Sequence, residues 1–367
     1  MTPRLSLHMM VRDAALTVAR ALASVSTFVD EVCVVDTGSE DDTLAVVEGE
    51  CRRRGVECRI VRTSPATHPD LYFDDAPGSY APYGDRGLGE GFTGKKLLAD
   101  WSRPRNLGLD LCRGQYVMKL DADDVFVPGN EPSVPRLLAL MDVHSLLDFV
   151  ACPYEVYDGG RLAYTTMQTR LWRNSPKVSF QGACHENVDH LRTGDHSNVY
   201  QVSRSILTVR DTRELPRSAD RNYKVLLHDW GRRLNTDALL TNHLMAYLAD
   251  EASAYWPELS LSLTADLLGR SLACQDRPWV RYVRGRALEA CGRLTEAEHE
   301  YEWADELGWG RAALRLAMIH ARHQTDGWRE ELARAVAVND KSRFYPRHAS
   351  AAEVDEAKQI LNPIVVT

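Results

Sequence analysis

The sequence predicts an α/β protein, with a mostly parallel sheet flanked by helices, followed by an all-helical region. Two observations carry this prediction. In the first part of the 367-residue chain, apolar runs typical of buried strands alternate with helical segments. From Arg217 onward helical patterns follow one another, and helix pairs recur at a period of about 30–34 residues, as in tetratricopeptide-like repeats. We place the sheet domain at 1–212, the helical domain at 213–345 and a C-terminal tail at 346–367.

Strands and helices alternate at the start of the chain. The first three strands are predicted at Leu5–Val11, Glu31–Asp36 and Glu57–Arg62. Between the first two, Asp13 is expected to cap a helix over 14–26. Between the second and third, Ser39 and Asp42 stand in capping-box spacing before another helix. Alternation of this kind indicates parallel strands with helices on both faces of the sheet.

Between Thr63 and Leu98 the alternation stops. The stretch is rich in Gly, Pro and aromatic residues. A loop of about 35 residues without regular structure is unusual in a compact domain. It is predicted to be either a lid or binding loop, or a surface insertion, and both interpretations stay open.

The remaining elements of the sheet domain follow the insertion. Pro104 opens a helix, and QYVMKLD at 115–121 is the next strand. Longer strands are predicted at Phe149–Tyr157, Ala163–Arg173 and Val199–Arg210, the first two joined as a hairpin.

The composition is that of a soluble globular protein, with 44% hydrophobic and 26% charged residues. The net charge of -8 gives no global basic footprint, which argues against nucleic acid as a partner, and a local basic groove is the alternative that stays open. The 8 cysteines form no CxxC pair, which argues against a disulfide framework or a zinc site and favours a reducing cytoplasm. No signal peptide or membrane-spanning run is recognisable, so we expect no membrane association.

The candidate chemistry lies where two predicted strands end. Asp121, Asp123 and Asp124 directly follow an apolar run. Crowded carboxylates repel one another and need a positive partner, commonly a hard cation such as Mg²⁺ or Mn²⁺ that also carries substrate phosphates. An acidic, solvated turn is the alternative. Because ligands of open parallel sheets bind beyond the carboxyl ends of the strands, Asp36 and Thr37 are expected in the same crevice as Asp121.

Four motifs, taken in order, resemble a known family. The segments LSLHMMVRD, EVCVVDTGSEDDT, WSRPRNLGLDLCRGQYVMKLDADD and RLWRNSPKVSFQGACHENVD look like the inverting nucleotide-sugar glycosyltransferases of family 2. They look most like the branch with a C-terminal tetratricopeptide-like domain. The resemblance implies a GT-A fold, which is a Rossmann-like, mostly parallel sheet. It also implies a UDP-hexose or UDP-N-acetylhexosamine as donor, and Mg²⁺ or Mn²⁺ as cofactor.

The resemblance assigns the donor side of the site residue by residue. Asp36, with Thr37 beside it, matches the position that contacts the uracil or ribose. Arg105 belongs to the RN signature and is expected near the base or the phosphates. Asp121 matches the first carboxylate of the DxD motif, facing ribose and sugar. Asp123 matches the second, which binds the metal that bridges the diphosphate.

The resemblance also suggests the catalytic side. Glu186 is the expected general base, because a carboxylate on the far side of the sugar can take the acceptor's proton during an in-line displacement. Asp189 is the rival base, and His185 is expected near the metal or the diphosphate. Arg170 and Arg173 are expected to steady the phosphates or the acceptor. Two arginines on one strand could equally just face water.

Several alternatives stay open from sequence alone. Arg105 could pair with Asp100 or Asp110 along its own helix. The whole protein could be a nucleotidyltransferase, although a Gly-rich phosphate loop is missing near the N-terminus. It could also be a catalytically spent GT-A domain that serves as a helical-repeat scaffold. The acceptor is undetermined among peptide, natural product, glycan and modified nucleobase, and a homodimer through the helical domain is expected.

Overall fold

The computed structural model describes residues 3–80, 88, 91–128, 133–158, 160–190, 199–212, 220–234, 242–270, 272, 277–341 and 348–361. The chain forms two compact units. A sheet unit comprises Met1–Asp75, Gly94–Tyr157 and Met167–Arg217. A helical unit comprises Ala76–Thr93, Asp158–Thr166 and Ser218–Thr367. The helical unit therefore includes two segments from the first half of the chain.

The secondary-structure elements follow the predicted order of strand–helix alternation and then helices. The strands are β1 (Leu5–Val11), β2 (Glu31–Asp36), β3 (Glu57–Arg62), β4 (Tyr72–Asp74), β5 (Lys96–Leu98), β6 (Tyr116–Lys119), β7 (Asp124–Pro128), β8 (Phe149–Asp158), β9 (Arg161–Arg173), β10 (Val178–Gln181), β11 (Asn187–His190), β12 (Val199–Gln201) and β13 (Leu207–Asp211). The helices are α1 (Val18–Val25), α2 (Thr43–Arg54), α3 (Ser102–Leu109), α4 (Ser133–Val143), α5 (Arg221–Leu234), α6 (Asn242–Tyr255), α7 (Pro257–Gly269), α8 (Arg277–Ala290), α9 (Leu294–Glu306), α10 (Gly310–His323), α11 (Trp328–Lys341) and α12 (Ala351–Leu361).

The main sheet has the strand order β3-β2-β1-β6-β9-β8-β13-β7, with β12 beside β8. Strand β1 lies between β2 and β6 and is parallel to both, and β3 extends this parallel half. In the other half β6 pairs antiparallel with β9, and β13 pairs parallel with β8 and antiparallel with β7. The predicted fold class, a mostly parallel sheet followed by helices, is confirmed. The sheet is mixed because the predicted β8–β9 hairpin enters it.

Two hydrophobic clusters cover the two faces of the sheet. Along β6, Tyr116 and Met118 point into one cluster, whereas Val117 points into the other with Trp172 and Phe180. Successive side chains of a strand face opposite sides, so burial on both faces explains why β6 is apolar without interruption. The polar residues of this strand are displaced to its carboxyl end.

The expected helix caps are wrong. Asp13 does not cap α1; it has a φ of 47° and its Oδ1 accepts a hydrogen bond from the Glu40 amide at 2.8 Å. Helix α1 starts only at Val18, without a side-chain cap. Ser39 donates to the carboxylate of Asp36 instead of forming a capping box for α2. In each case a polar side chain that local spacing assigns to a helix binds a neighbouring turn.

Two further predictions need correction. The single strand predicted over Val199–Arg210 is two strands, β12 and β13, separated by a turn in which Ile206 N donates to Ser203 O at 3.0 Å. The acidic segment after β6 continues into a strand, β7, that was not predicted. Its partner is β13, which lies far along the chain, so local sequence gives little indication of it.

The insertion between Thr63 and Leu98 has a two-stranded base. Strands β4 and β5 pair antiparallel there. Its central segment belongs to the helical unit, where Lys224 Nζ on α5 donates to Gly91 O at 2.5 Å. His228 Nδ1, one turn further along α5, lies 3.0 Å from Ser79 O.

The helical unit contains the predicted helix pairs. Helices α8 and α9 are joined at Gly292, whose φ of 73° suits glycine. They approach so closely that a Cβ at Gly285 would lie 2.5 Å from the Tyr301 ring. Helices α10 and α11 form the next pair. Residues expected as a C-terminal tail include α12, whose Val354 and Ala357 are buried.

Among the helices of the described ranges, none combines the length and the apolar character needed to cross a membrane.

Candidate active site

The candidate site lies beyond the carboxyl ends of β2 and β6, on either side of β1. Asp36 ends β2 and is fully buried, opposite Val11 in the β1–β2 register. Its Oδ1 accepts hydrogen bonds from Ser39 N at 2.9 Å and Ser39 Oγ at 2.7 Å. Arg62 Nε lies 3.4 Å from the other oxygen, Oδ2. These contacts hold Asp36 in a fixed orientation at the edge of the sheet.

Thr37 is fixed through both its side chain and its backbone. Its Oγ1 donates to Val11 O at 3.1 Å, and its carbonyl accepts from the Tyr72 hydroxyl at 3.2 Å. Gly38 follows with a φ of 96°, a conformation that favours glycine, and so turns the chain away from the sheet. Two hydrogen bonds and a glycine turn thus fix this segment.

Arg105 connects the two carboxylates on which the sequence argument depends. It projects from α3 and is almost completely buried. Its Nη2 contacts Asp121 Oδ1 at 2.8 Å, and its Nε contacts Glu186 Oε1 at 2.5 Å. The alternative pairing with Asp100 or Asp110 is not what the structure shows. Asp100 Oδ1 instead accepts from the Ser102 amide at 2.8 Å.

A glycine and a histidine set the position of Arg105. Gly108 packs α3 directly on β1, where a Cβ would lie 2.8 Å from His8 Nε2. The same His8 nitrogen lies 2.8 Å from Arg105 O. Burial, followed by the charge of Arg105, lowers the pKa of His8 to about 3. His8 is therefore neutral at physiological pH and donates through Nε2 to this carbonyl.

Arg170 supports Asp121 from the opposite side. It is 1% exposed, with Nη1 3.2 Å from Asp121 Oδ2 and Nη2 3.1 Å from Asp124 Oδ2. Its guanidinium carbon lies 4.7 Å from the centre of the Tyr154 ring, and the Tyr154 hydroxyl donates to Asp124 at 3.0 Å. Burial raises the pKa of Asp124 to about 7 against the opposing charge of Arg170. The alternative that Arg170 simply faces water is not what the structure shows.

Arg173 is not brought to the site. Strand β9 runs antiparallel to β6 and places Arg173 opposite Tyr116, at the start of β6, whereas Asp121 follows its end. Arg173 Nε lies 3.5 Å from Asp148 Oδ1, and its guanidinium stacks on Tyr116. Positions three apart on a strand also point to opposite faces, so Arg170 and Arg173 cannot share a ligand.

Lys119 and Glu186 complete a buried cluster of alternating charge. Lys119 Nζ lies 3.4 Å from Glu186 Oε1 and 3.8 Å from Asp121 Oδ2. Burial would raise the pKa of Glu186, but the charges of Arg105 and Lys119 outweigh it and lower that pKa to about 2. The pKa of Asp121 is likewise held well below its usual value, because the three surrounding cations outweigh the effect of burial.

The structure adds residues that sequence reasoning missed. Phe180 lies beneath the cluster, its ring centre 5.8 Å from both Arg105 Cζ and Lys119 Nζ. Period-two alternation could have indicated Lys119, because it shares a strand face with Asp121. Asp124 stands in the acidic motif but its link to Tyr154 depends on long-range pairing. No local signal points to Phe180 or Tyr154.

The residues expected to bind a metal are only partly assembled. Within the described ranges, no three His, Cys, Asp or Glu side chains come together as a metal cage. Both carboxylate oxygens of Asp121 already contact cations. Asp123 is partly exposed, and its carbonyl accepts from Thr212 N and Oγ1, both at 2.8 Å. This donor set fits Mg²⁺ or Mn²⁺ only if most ligands come from outside the protein, as is common for Mg²⁺ with phosphates.

The two remaining candidates border Glu186. His185 immediately precedes it and has a φ of 55°, an unusual conformation for a residue other than glycine. The Asp189 side chain, the rival base, lies outside the described residues. Its backbone is in β11, opposite Ser179 of β10.

Fold and site together define an open α/β protein with a buried cluster of charged side chains beyond the carboxyl ends of its parallel strands, where such proteins bind their ligands. Two curated proteins are similar to this chain in sequence. The chain is 30% identical over 191 residues to a TPR repeat-containing protein of Synechococcus elongatus, covering 51% of this chain and 36% of that protein. It is 23% identical over 193 residues to the prophage-derived glycosyltransferase SunS of Bacillus subtilis, covering 52% and 36%. The match to SunS confirms the resemblance to glycosyltransferases that the motifs indicate.

The chain spans about a third of the length of these curated relatives. No protein-family model matches it. Among solved structures, S. aureus TarS in complex with UDP-GlcNAc is 15% identical and aligns over 98% of this chain and 90% of that chain, with a TM-score of 0.40. Glucosyl-3-phosphoglycerate synthase from Mycobacterium tuberculosis with Mg²⁺ and UDP is 20% identical and aligns over 43% and 45%, with a TM-score of 0.26.

Proposed function

We propose that this protein is an inverting glycosyltransferase that moves a hexose or N-acetylhexosamine from a UDP-sugar to an acceptor nucleophile. One observation carries the proposal: at the carboxyl end of β6, Arg105 directly contacts both Asp121 and Glu186, and the two carboxylates come from different motif segments. A spent domain has no reason to retain a buried charge cluster, because even paired buried charges carry a desolvation cost that apolar residues of similar size avoid. The resemblance to named glycosyltransferases supports the same activity.

The donor side is assigned to the residues along the sheet edge. Asp36 and Thr37 would receive the uridine, with the oriented carboxylate of Asp36 accepting hydrogen bonds from hydroxyl or N–H groups. Arg105 and Arg170 would stabilise the negative charge of the diphosphate as the bond to the sugar breaks. Asp121, oriented by both arginines, would accept hydrogen bonds from the ribose or the sugar. Arg173 has no part in this arrangement.

The catalytic base is assigned to Glu186. In an inverting displacement a carboxylate removes the proton of the attacking nucleophile. Glu186 is held by Arg105 and Lys119, so its orientation is set before any ligand arrives. Asp189 remains the alternative base. Changing Glu186 to Gln should abolish transfer without weakening nucleotide binding, because the amide keeps the size but cannot accept the proton.

A divalent cation, Mg²⁺ or Mn²⁺, would be held by Asp123 together with the phosphates of the donor, and His185 would lie close to it. When bound, the cation supplies Lewis-acid stabilisation of the leaving diphosphate. The chain itself orients the Asp123 segment through Thr212, whose amide and hydroxyl both bind the Asp123 carbonyl.

The acceptor and the assembly state belong to the same proposal. The matches cover only about a third of the length of the relatives and do not identify an acceptor. Peptide, natural product, glycan and modified nucleobase are therefore all acceptor classes to test. We expect self-association through the helical unit, since stacked helix pairs leave surfaces that commonly bind a second copy.

The test is UDP release from UDP-glucose and UDP-N-acetylglucosamine, with intact-mass analysis of candidate acceptors, in Mn²⁺ and in EDTA. Metal-dependent UDP release that requires Asp121 supports the proposal. UDP binding without any turnover by the wild type would indicate the scaffold interpretation. Pyrophosphate release from UTP and a sugar phosphate would indicate a nucleotidyltransferase.

A further inference from the structure

Lys119 is a buried cation to which the proposed donor site gives no role. It ends β6, two positions before Asp121 and on the same face, and is 8% exposed. Burying an ammonium group is costly unless anionic partners compensate it. Burial, together with the charge of Arg105, lowers the pKa of Lys119. A role is therefore needed to explain why a charged side chain stands at this point of an apolar strand.

The ion pairs of Lys119 are long. Its Nζ lies 3.4 Å from Glu186 Oε1 and 3.8 Å from Asp121 Oδ2, whereas charge-assisted hydrogen bonds are usually about 2.7–2.9 Å long. An ammonium group has three donors in a compact point charge and can turn toward a new partner without breaking a fixed geometry. Lys119 is thus the most loosely held cation of the cluster.

Both carboxylates near Lys119 have closer cationic partners. Arg105 contacts Glu186 at 2.5 Å and Asp121 at 2.8 Å, and Arg170 contacts Asp121 at 3.2 Å. Neither carboxylate therefore depends on Lys119 alone for neutralisation. Arg105 also retains binding capacity, since no hydrogen-bond partner reaches its buried Nη1 among the described residues.

We infer that Lys119 is a shared cation: it pairs with Glu186 in the resting site and turns to the diphosphate when a nucleotide-sugar donor binds. The inference rests on the proposed function for the identity of the donor. A diphosphate carries more negative charge than a carboxylate and competes for the same ammonium group. Donor binding then releases Glu186 from one of its two cations and makes it more available to the acceptor. Lys119 is thus a binding residue for the diphosphate, and it affects the acceptor only through Glu186.

Competition between Glu186 and the diphosphate makes a distinctive prediction for binding. Lys119→Met should weaken UDP binding by about 10- to 100-fold, which corresponds to one charge-assisted hydrogen bond. Glu186→Gln should bind UDP several-fold more tightly than wild type, because the competing anion is gone. This gain in UDP affinity from Glu186→Gln should be smaller when the chain also carries Lys119→Met. Binding of uridine, which lacks phosphates, should be the same in all variants.

The experiment is isothermal titration of the full chain with UDP, uridine and inorganic pyrophosphate, with and without Mg²⁺. Lys177→Met, an exposed lysine before β10, is the matched control and should bind like wild type. Lys119→Arg keeps the charge and should retain most of the affinity. Circular dichroism checks that each variant is folded. If Lys119→Met does not fold, UDP binding by Glu186→Gln still tests the inference.

The possible outcomes separate this inference from the proposed function. Any of three results would overturn the exchange. Lys119→Met could bind UDP as tightly as wild type, or it could lose UDP and uridine binding equally. Glu186→Gln could bind UDP more weakly than wild type. The wild type could bind pyrophosphate, lose that binding in Lys119→Met, and not bind UDP. This result would support the exchange and rule out the proposed donor. Binding of neither ligand by wild type would overturn both.

Discussion

Removing Arg105 should destabilise the sheet unit strongly, because this side chain neutralises two carboxylates at once. In Arg105→Met, Glu186 would face only the more distant Lys119, and Asp121 would rely on Arg170. Loss of one partner from a buried ion pair lowers the free energy of unfolding by about 3–5 kcal/mol. We expect Arg105→Met near the lower end of this range, because other cations still neutralise the two carboxylates. For a unit of this size, about 3 kcal/mol lowers the melting temperature by roughly 6–12 °C.

The pH dependence gives a second route to the same magnitude. The pKa of Glu186 is about 2 in the folded protein against an ordinary value of 4.5. At 1.36 kcal/mol per unit, the ionised Glu186 contributes on the order of 3 kcal/mol. Because the folded pKa is lowered, this contribution is fully present above about pH 4.5 and is lost as the pH falls toward 2. The stability difference between wild type and Arg105→Met should therefore narrow on acidification.

Urea unfolding followed by Trp fluorescence, at about pH 7 and about pH 3, measures both effects. The matched control is Arg103→Met, on the same helix, where the arginine pairs with Asp70 at the surface and should contribute little. A change in Arg105→Met no larger than in Arg103→Met would refute the assignment of a buried charge cluster. So would a difference from wild type that stays constant down to about pH 3.

Three further predictions follow from the site and the helical unit. Asp123→Asn should reduce sugar transfer by orders of magnitude without unfolding the protein, and EDTA should mimic it with reversal by Mn²⁺; transfer that is indifferent to both would remove the metal role. Gly285→Ala should destabilise the helical unit by about 1–3 kcal/mol, since its Cβ would lie 2.5 Å from the Tyr301 ring; thermal unfolding measures this, and an unchanged midpoint would show that the ring moves aside. The full chain should be dimeric by light scattering at micromolar concentration, and a monomer there would contradict self-association.

The sequence by itself determined the elements whose cause is local. The first three strands, Leu5–Val11, Glu31–Asp36 and Glu57–Arg62, match their predicted bounds because each is a continuous strand-forming run ended by polar residues. The helix pairs around Gly292 were equally visible, because amphipathic periodicity and a glycine turn are local signals. Asp36 and Asp121 could be chosen in advance from their positions at strand ends, whereas Arg105 and Glu186 were chosen through the family resemblance of their motifs.

Tertiary structure decided what depends on long-range pairing. The caps expected at Asp13 and Ser39 failed because neighbouring turns bind the same side chains. The antiparallel register of β9 against β6 brings Arg170 to Asp121 and carries Arg173 to the other end of the strand. Spacing along the chain cannot supply that register, because it is fixed by which strands pair and in which direction. The pairing of Lys119 with Glu186 is decided in the same way, because that carboxylate follows it far along the chain, although its place on the strand face of Asp121 is a local feature.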